Sequence, residues 1–235
     1  MHRSSISRAV SAAAFAATVA GAVGFAGAAH ATAFDSPLAD PPGVFFGSGN
    51  PNEHFTVNDD NNIELGLQAV QRFISPYTPN AGTDVYVVGL GSTTVPGKTG
   101  AQWGVTFSIN TNLDGTGSTT LDDITASLCL TDAVTGSNGC ADPLAIPDNF
   151  LSGNTAAQNS EALSFANIAA ALNDPGFNDT IGDTYTFTLS VSEAGVVLDS
   201  DTIVVDAVPE PATLVLLGAG LVGFGFVRRR TSRRA

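Results

Sequence analysis

Apolar and polar side chains alternate along much of the chain between residues 60 and 205. Four runs show this pattern, with Thr, Ser or Gly at most of the intervening positions. The apolar members are Ile63, Leu65, Leu67, Ala69 and Phe73; Trp103, Val105, Phe107 and Ile109; Ile124, Ala126, Leu128 and Leu130; and Tyr185, Phe187, Leu189 and Val191. A period of two predicts β-strands with one buried face and one face in water, as in antiparallel sheets.

Turn signals separate these runs. Gly195 follows Glu193 and Ala194 and predicts a hairpin between residues 185–192 and 196–205. In the second of these strands Leu198 and Ile203 have opposite parity, which a bulge near residues 199–201 would reconcile. Only residues 161–172 favour a helix. The chain therefore predicts an all-β fold, an antiparallel β-sandwich with a jelly-roll-like arrangement.

The N-terminus has the pattern of an export signal. Arg3 and Arg8 precede an uncharged run over residues 9–29, and Ala31-Thr32-Ala33 is an A-x-A cleavage site. We therefore expect residues 1–33 to form a signal helix that signal peptidase removes.

The C-terminus combines three parts: the tripeptide Pro209-Glu210-Pro211, an uncharged run over residues 212–227, and the cluster Arg228, Arg229 and Arg230. Proline fixes φ and lacks an N–H, so a helix is not expected to cross the tripeptide. A helix over the apolar run would span about 24 Å, less than a hydrocarbon core of about 30 Å. The arginines should stay on the cytoplasmic side and orient the segment. An ordinary membrane anchor is the alternative.

In this fixed order the three parts resemble the PEP-CTERM sorting signal of Gram-negative bacteria. The resemblance implies recognition by an exosortase, a membrane transpeptidase, and removal of the tail near Pro-Glu-Pro. It also implies a transient inner-membrane stage, followed by the cell envelope, cell surface or extracellular matrix. The expected organisation is thus a signal peptide (1–33), a body (34–208) and a sorting segment (209–235). Pieces of the body, at residues 46–52, 64–67, 107–112 and 182–187, resemble uncharacterised domains found with such tails.

The body is strongly acidic. Between residues 34 and 208 it holds 21 acidic residues and only two basic ones, Arg72 and Lys98, a net charge of −19 against −13 for the whole chain. Such a surface repels nucleic acid and attracts divalent cations, although solubility alone also explains it. Cys129 and Cys140 predict one disulfide in an exported protein, with two free thiols as the alternative.

Catalytic motifs are missing from the sequence. Beyond the signal peptide only His54 remains, without a Gly-x-Ser-x-Gly elbow or a phosphate-binding loop. We therefore expect a protein that is not an enzyme, with paired carboxylates of a polysaccharide hydrolase as a less favoured interpretation.

One segment has calcium-loop character. Asn110, Asn112 and Asp114 supply oxygen ligands at alternate positions and are followed by Gly115, as in the first half of a twelve-residue calcium loop. Counted from Asn110, the twelfth position is Leu121 rather than the usual Glu, and Asp122 comes directly after it. These four side chains predict a Ca²⁺ site, or else a strand-ending turn in which Asn and Asp bond the backbone. Residues 59–62 are a second candidate.

Together these features predict a non-catalytic protein of the envelope or extracellular matrix, with exosortase, signal peptidase and exopolysaccharide as partners. The alternative is a calcium-assisted carbohydrate-binding module. An aromatic sugar platform is not expected, because Trp103 begins an alternating strand and should pack in the core.

Overall fold

The computed structural model describes residues 32–39, 52–71, 74–95, 98–146, 149–162, 166–174, 177–178 and 180–209. Strands make up 55% and helix 4% of these described residues, so the all-β prediction is confirmed. Apart from Thr32 and Ala33, the predicted signal helix lies outside these residues, as does the predicted hydrophobic helix. Within the described ranges, no helix is both long enough and apolar enough to cross a membrane.

Within the described residues, fourteen strands and one short helix follow one another. They are β1 (Ala33–Ser36), β2 (Phe55–Asp60), β3 (Ile63–Gln71), β4 (Ser75–Pro76), β5 (Val85–Gly89), β6 (Ser92–Val95), β7 (Lys98–Ala101), β8 (Gly104–Asn110), β9 (Thr125–Asp132), β10 (Asn138–Ala141), β11 (Phe150–Ser152), β12 (Ala156–Glu161), α1 (Ala166–Ala171), β13 (Asp183–Glu193) and β14 (Val196–Val208). A 3₁₀ turn, Pro143–Ala145, follows β10.

The strands form two large sheets and a two-stranded ribbon. The seven-stranded sheet has the order β1-β2-β3-β8-β12-β11, with β4 also on β3, and the five-stranded sheet has the order β10-β9-β13-β14-β5. Strand β5 runs parallel to β14, so the expectation of purely antiparallel pairing is wrong at this edge. A period of two locates a strand but carries no information about its direction. The jelly-roll-like sandwich stays a prediction.

One core cluster draws buried side chains from both large sheets. Every residue from Ile63 to Ala69 with odd number belongs to it, as do the apolar members of β8, β9 and β13. Trp103 is buried there against Phe177, Tyr185 and Phe187, at ring-centroid separations of 5.0 to 6.4 Å. Core packing of Trp103 is therefore confirmed.

The hairpin between β13 and β14 has the predicted turn. Ala194 and Gly195 both have positive φ, 49° and 82°, as a tight two-residue hairpin turn requires. Val191 pairs with Asp199 and Ser192 pairs with Val197, so Leu198 is the extra residue of a bulge. The bulge lies one residue before the predicted range. It allows Leu198 and Ile203 to contact the same core despite their opposite parity.

The polar faces of the strands follow the prediction only in the five-stranded sheet. Thr125 and Thr131 of β9 are exposed, as expected. In contrast, the prediction of a water-exposed face is wrong for β3 and β8, because their polar positions are buried. The buried polar residues are Glu64, Gln68, Thr106, Ser108 and Asn110. Alternation shows that side chains point to two faces, but it does not show whether other chain covers the second face.

Helix α1 is shorter than predicted. It spans Ala166–Ala171, whereas Glu161 belongs to β12, which pairs with β8 from Ala156 to Glu161. Strand pairing thus takes Glu161, the first residue of the predicted 161–172 helix.

The predicted disulfide is present between Cys129 and Cys140. The two residues stand directly opposite each other in β9 and β10, and β10 is the edge strand of its sheet. The bond therefore fastens an edge strand of four residues to its neighbour.

Replacing Cys129 and Cys140 together with Ser should lower the free energy of unfolding by about 3 kcal/mol, because the cross-link restricts the unfolded chain. The measurement is a thermal melt with and without reductant. Reductant should lower the melting temperature of the wild type but not that of the double variant. Ser127→Ala, a change beside Cys129 on β9, is the control. Equal stability of the wild type and the double variant would contradict the prediction.

Candidate functional site

The predicted calcium ligands begin at Asn110, the last residue of β8, and continue through and beyond the turn that follows. Asn112 Oδ1 accepts from the Gly117 N–H at 2.7 Å, and Asp114 Oδ1 accepts from the Thr116 N–H at 2.8 Å. Asp122 has a different partner: its Oδ2 accepts from Asn154 Nδ2 at 2.8 Å. Asn110 is buried, and its Oδ1 accepts from the Asn112 N–H. The oxygens of Asn110, Asn112 and Asp114 therefore bond backbone N–H groups of the same turn, whereas Asp122 bonds a distant side chain.

A second loop supports this turn. Asn61 and Asn62 join β2 to β3 with positive φ at both residues, 50° and 65°. Asn62 Oδ1 accepts from the Asp114 N–H at 2.8 Å, so the two predicted calcium segments lie side by side. Among the described residues, no group of three or more His, Cys, Asp or Glu side chains is placed to hold a metal ion. The Ca²⁺ site stays a prediction.

Carboxyl groups are buried between the two sheets. Asp199 and Asp201 of β14 are 3% and 2% exposed, and Asn58 of β2 donates to Asp199 Oδ1. Burial raises the pKa of Asp199 to about 6, and burial raises the pKa of Asp201 well above its ordinary value. The core face is thus apolar toward one end of β14 and acidic toward the other.

A third buried carboxyl group lies on the opposite face of the seven-stranded sheet. Glu64 Oε2 accepts from the Ala39 N–H at 2.6 Å, which fixes the segment after β1 to β3. The neighbouring Leu38 packs with Phe55 and Val57 of β2. Burial raises the pKa of Glu64 to about 7.

Several polar side chains on that same face are buried, and their polar atoms have no hydrogen-bond partner among the described residues. They are Gln68 on β3, Thr106 and Ser108 on β8, and Gln158 and Ser160 on β12. Buried hydroxyl and amide groups ordinarily form hydrogen bonds, so this face is unusual for a protein interior.

The sorting segment begins directly at the end of a strand. β14 continues to Val208, and Ala207 within it is 2% exposed. Pro209 is exposed and is the only member of the predicted tripeptide within the described residues. Glu210 and Pro211 lie outside them, as do Arg228 to Arg230. There is consequently no linker between the sheet and Pro209.

A shallow cleft of about 450 Å³ surrounds this exit point. Its lining includes Val134, Gly182, Asp183, Asp206, Val208 and Pro209. The Val134 N–H is shared by Asp132 Oδ1 at 2.9 Å and Asp183 Oδ1 at 3.1 Å. Burial and the hydrogen bond to Asp132 raise the pKa of the Asp183 carboxyl. Exposed apolar side chains at Val134, Ile181 and Val208 lie at or beside this acidic cleft.

The other end of the body also begins in a strand. Ala33, the predicted last residue of the signal peptide, opens β1 and pairs with Val57, while Ala31 lies outside the described residues. His54 Nδ1 lies within hydrogen-bond distance, 2.6 Å, of Asp35 Oδ1 in β1. His54 is therefore occupied by a carboxylate at the start of the body.

Comparison with known proteins identifies the tail. The model of the PEP-CTERM protein-sorting motif matches residues 207–230, which confirms the resemblance predicted from the sequence. No curated protein matches the chain, and no solved structure matches it. The motif implies exosortase-dependent export to the cell envelope and processing by exosortase.

Sequence reasoning found the sorting tripeptide but missed the cleft beside it. Asp132, Asp183 and Asp206 come from three strands and are far apart in the chain. Only the register of β13 with β9 and β14 brings them together, and the alternation pattern does not encode that register.

The buried carboxyl groups should make the body less stable as pH rises. Unfolded Asp and Glu titrate near 4, whereas Asp199 and Glu64 do so at about 6 and about 7 in the folded state. The folded protein therefore holds protons that the unfolded chain releases, and stability should fall as pH rises from about 4 to about 7. Denaturant unfolding at a series of pH values measures this.

Asp199→Asn and Asp201→Asn should each raise stability at pH 8 and flatten this dependence. For Asp199, whose pKa is raised to about 6, the gain should be up to about 3 kcal/mol. Glu193→Gln, a change to an exposed carboxyl group at the tip of the same hairpin, is the control and should have little effect. A wild-type stability that increases from pH 4 to pH 7 would be incompatible with the prediction.

Proposed function

We propose that this protein is an exported, non-catalytic component of the cell envelope or extracellular matrix, anchored or released through its C-terminal sorting signal. The observation that carries the proposal is the PEP-CTERM match at residues 207–230. The match begins at the last strand of a folded β body that contains a disulfide. A disulfide is typical of proteins that fold outside the cytoplasm.

The charge of the body supports an extracellular role. Its net charge of −19 opposes binding to nucleic acid and to anionic lipid headgroups. The same charge keeps neighbouring copies apart in solution, which suits a protein displayed at high density on a surface.

A structural role is also favoured by what the polar residues do. In the turn after β8, Asn112, Asp114 and Thr116 are engaged in local hydrogen bonds. His54 is held by Asp35. We propose a sandwich of the two sheets as the displayed unit, supported by the core cluster that they share.

Replacing Pro209 and Glu210 with Ala should leave the tail attached, because the tripeptide is the recognition element of the matched motif. The intact mass of the protein isolated from envelope and medium of an exosortase-containing host measures this. The wild type should lack the tail, and the variant should keep it and stay with the inner membrane.

The matched control replaces Thr231 and Ser232, which follow the matched residues, with Ala. This variant should be processed like the wild type. Normal removal of the tail from the Pro209 and Glu210 variant would refute the sorting proposal.

A further inference from the structure

We propose that the sheet itself limits where the tail is cut: the bond broken during processing lies on the C-terminal side of Val208, and Ala207 and Val208 stay in β14 while the enzyme acts. This inference rests on the proposed processing by exosortase. It assigns a boundary for the modification site that the motif alone does not provide.

The strand pairing at the end of β14 is the first argument. Ala207 is paired on both sides, with Asp183 of β13 and with Val88 of β5. Val208 is paired with Gly89 of β5. The pairing thus decreases from two neighbours to one, and the strand ends before Pro209.

A common way to recognise an extended peptide is to add it to the edge of a sheet, which requires a free backbone edge on the peptide. A strand with a neighbour on each side has no free edge. Ala207 is also 2% exposed, and its side chain belongs to the core cluster. Cutting before Val208 would require the end of β14 to leave both neighbours and the core.

Pro209 makes this boundary sharp. It has no N–H to donate, so the ladder to β5 cannot be extended through it. A side chain at Gly182 would lie within 3.6 Å of Pro209 Cδ and 3.2 Å of the Ala207 carbonyl oxygen. The bare backbone at Gly182 thus leaves room for the Ala207 carbonyl and the Pro209 ring beside the acidic cleft.

The matched motif nevertheless includes Ala207 and Val208. If the sheet keeps both residues, the enzyme recognises the chain from Pro209 onward. In the reaction one peptide bond breaks, its carbonyl side passes to water or to an amine acceptor, and the tail leaves with a new amino group. No oxidant or reductant is needed.

The first measurement is the C-terminal residue of the processed protein, read by mass spectrometry from an exosortase-containing host. We expect every processed chain to include Val208. A processed chain that ends before Val208 would overturn the proposal.

The second measurement separates recognition from folding. Inserting Gly-Ser-Gly-Ser between Val208 and Pro209 divides the matched motif but leaves the sheet and the tripeptide intact. We expect processing within about twofold of the wild type, since the recognised residues stay together. Loss of processing would show that the enzyme reads Ala207 and Val208 as well. The same insertion after Gly195, in the turn at the other end of β14, is the control.

Digestion of the purified full chain with a protease of broad specificity tests the sheet without exosortase. Trimming from the C-terminus should stop at or beyond Val208, and removal of Ala207 from otherwise folded protein would overturn the proposal. If the wild-type tail stays intact in cells, the proposed sorting function fails, while this digestion still decides whether the sheet protects its last residues.

Discussion

The backbone pairing of β14 is the constraint on which the rest of the structure depends. This strand pairs with β13 along almost its whole length and with β5 over its last five residues. Its inward side chains, Ile203, Val205 and Ala207, join the core shared by both sheets. The same backbone then continues directly into the sorting segment. The folded body therefore passes into the sorting segment at Val208 without a linker, and a change in the register of β14 would affect both.

Much of the strand pattern was predictable because burial on the core face enforces a period of two. The inward residues of β3, β8, β9 and β13 follow it closely, and Trp103 lies where its alternation placed it. Two features were not predictable for physical reasons. The parallel pairing of β5 depends on the path of the connecting chain, and the buried polar residues Thr106 and Ser108 depend on a covering segment. Neither leaves a trace in local alternation.

The candidate site shows a similar division. The sorting tripeptide is local in sequence, and the motif that matches residues 207–230 includes it. The acidic cleft depends on three strands meeting, so Asp183 and Asp206 carried no signal beyond the general excess of acid. The predicted calcium ligands illustrate the opposite case. Asn112 and Asp114 have the spacing of a metal loop, but a turn that must satisfy its own N–H groups selects the same residues.

The bulge at Leu198 connects the buried acids to the exit of the tail. Because a strand alternates strictly, the extra residue shifts the parity of Val196 and Val197 relative to everything after it. Asp199 and Asp201 consequently point inward, where burial raises the pKa of both carboxyl groups. The same parity turns Ala207 inward and leaves Val208 39% exposed. Without the bulge, either Leu198 would leave the core or the strand would present Val208 to the interior and start the tail inside the protein. The unfavourable burial of two acids therefore accompanies a register that directs Pro209 outward into solvent.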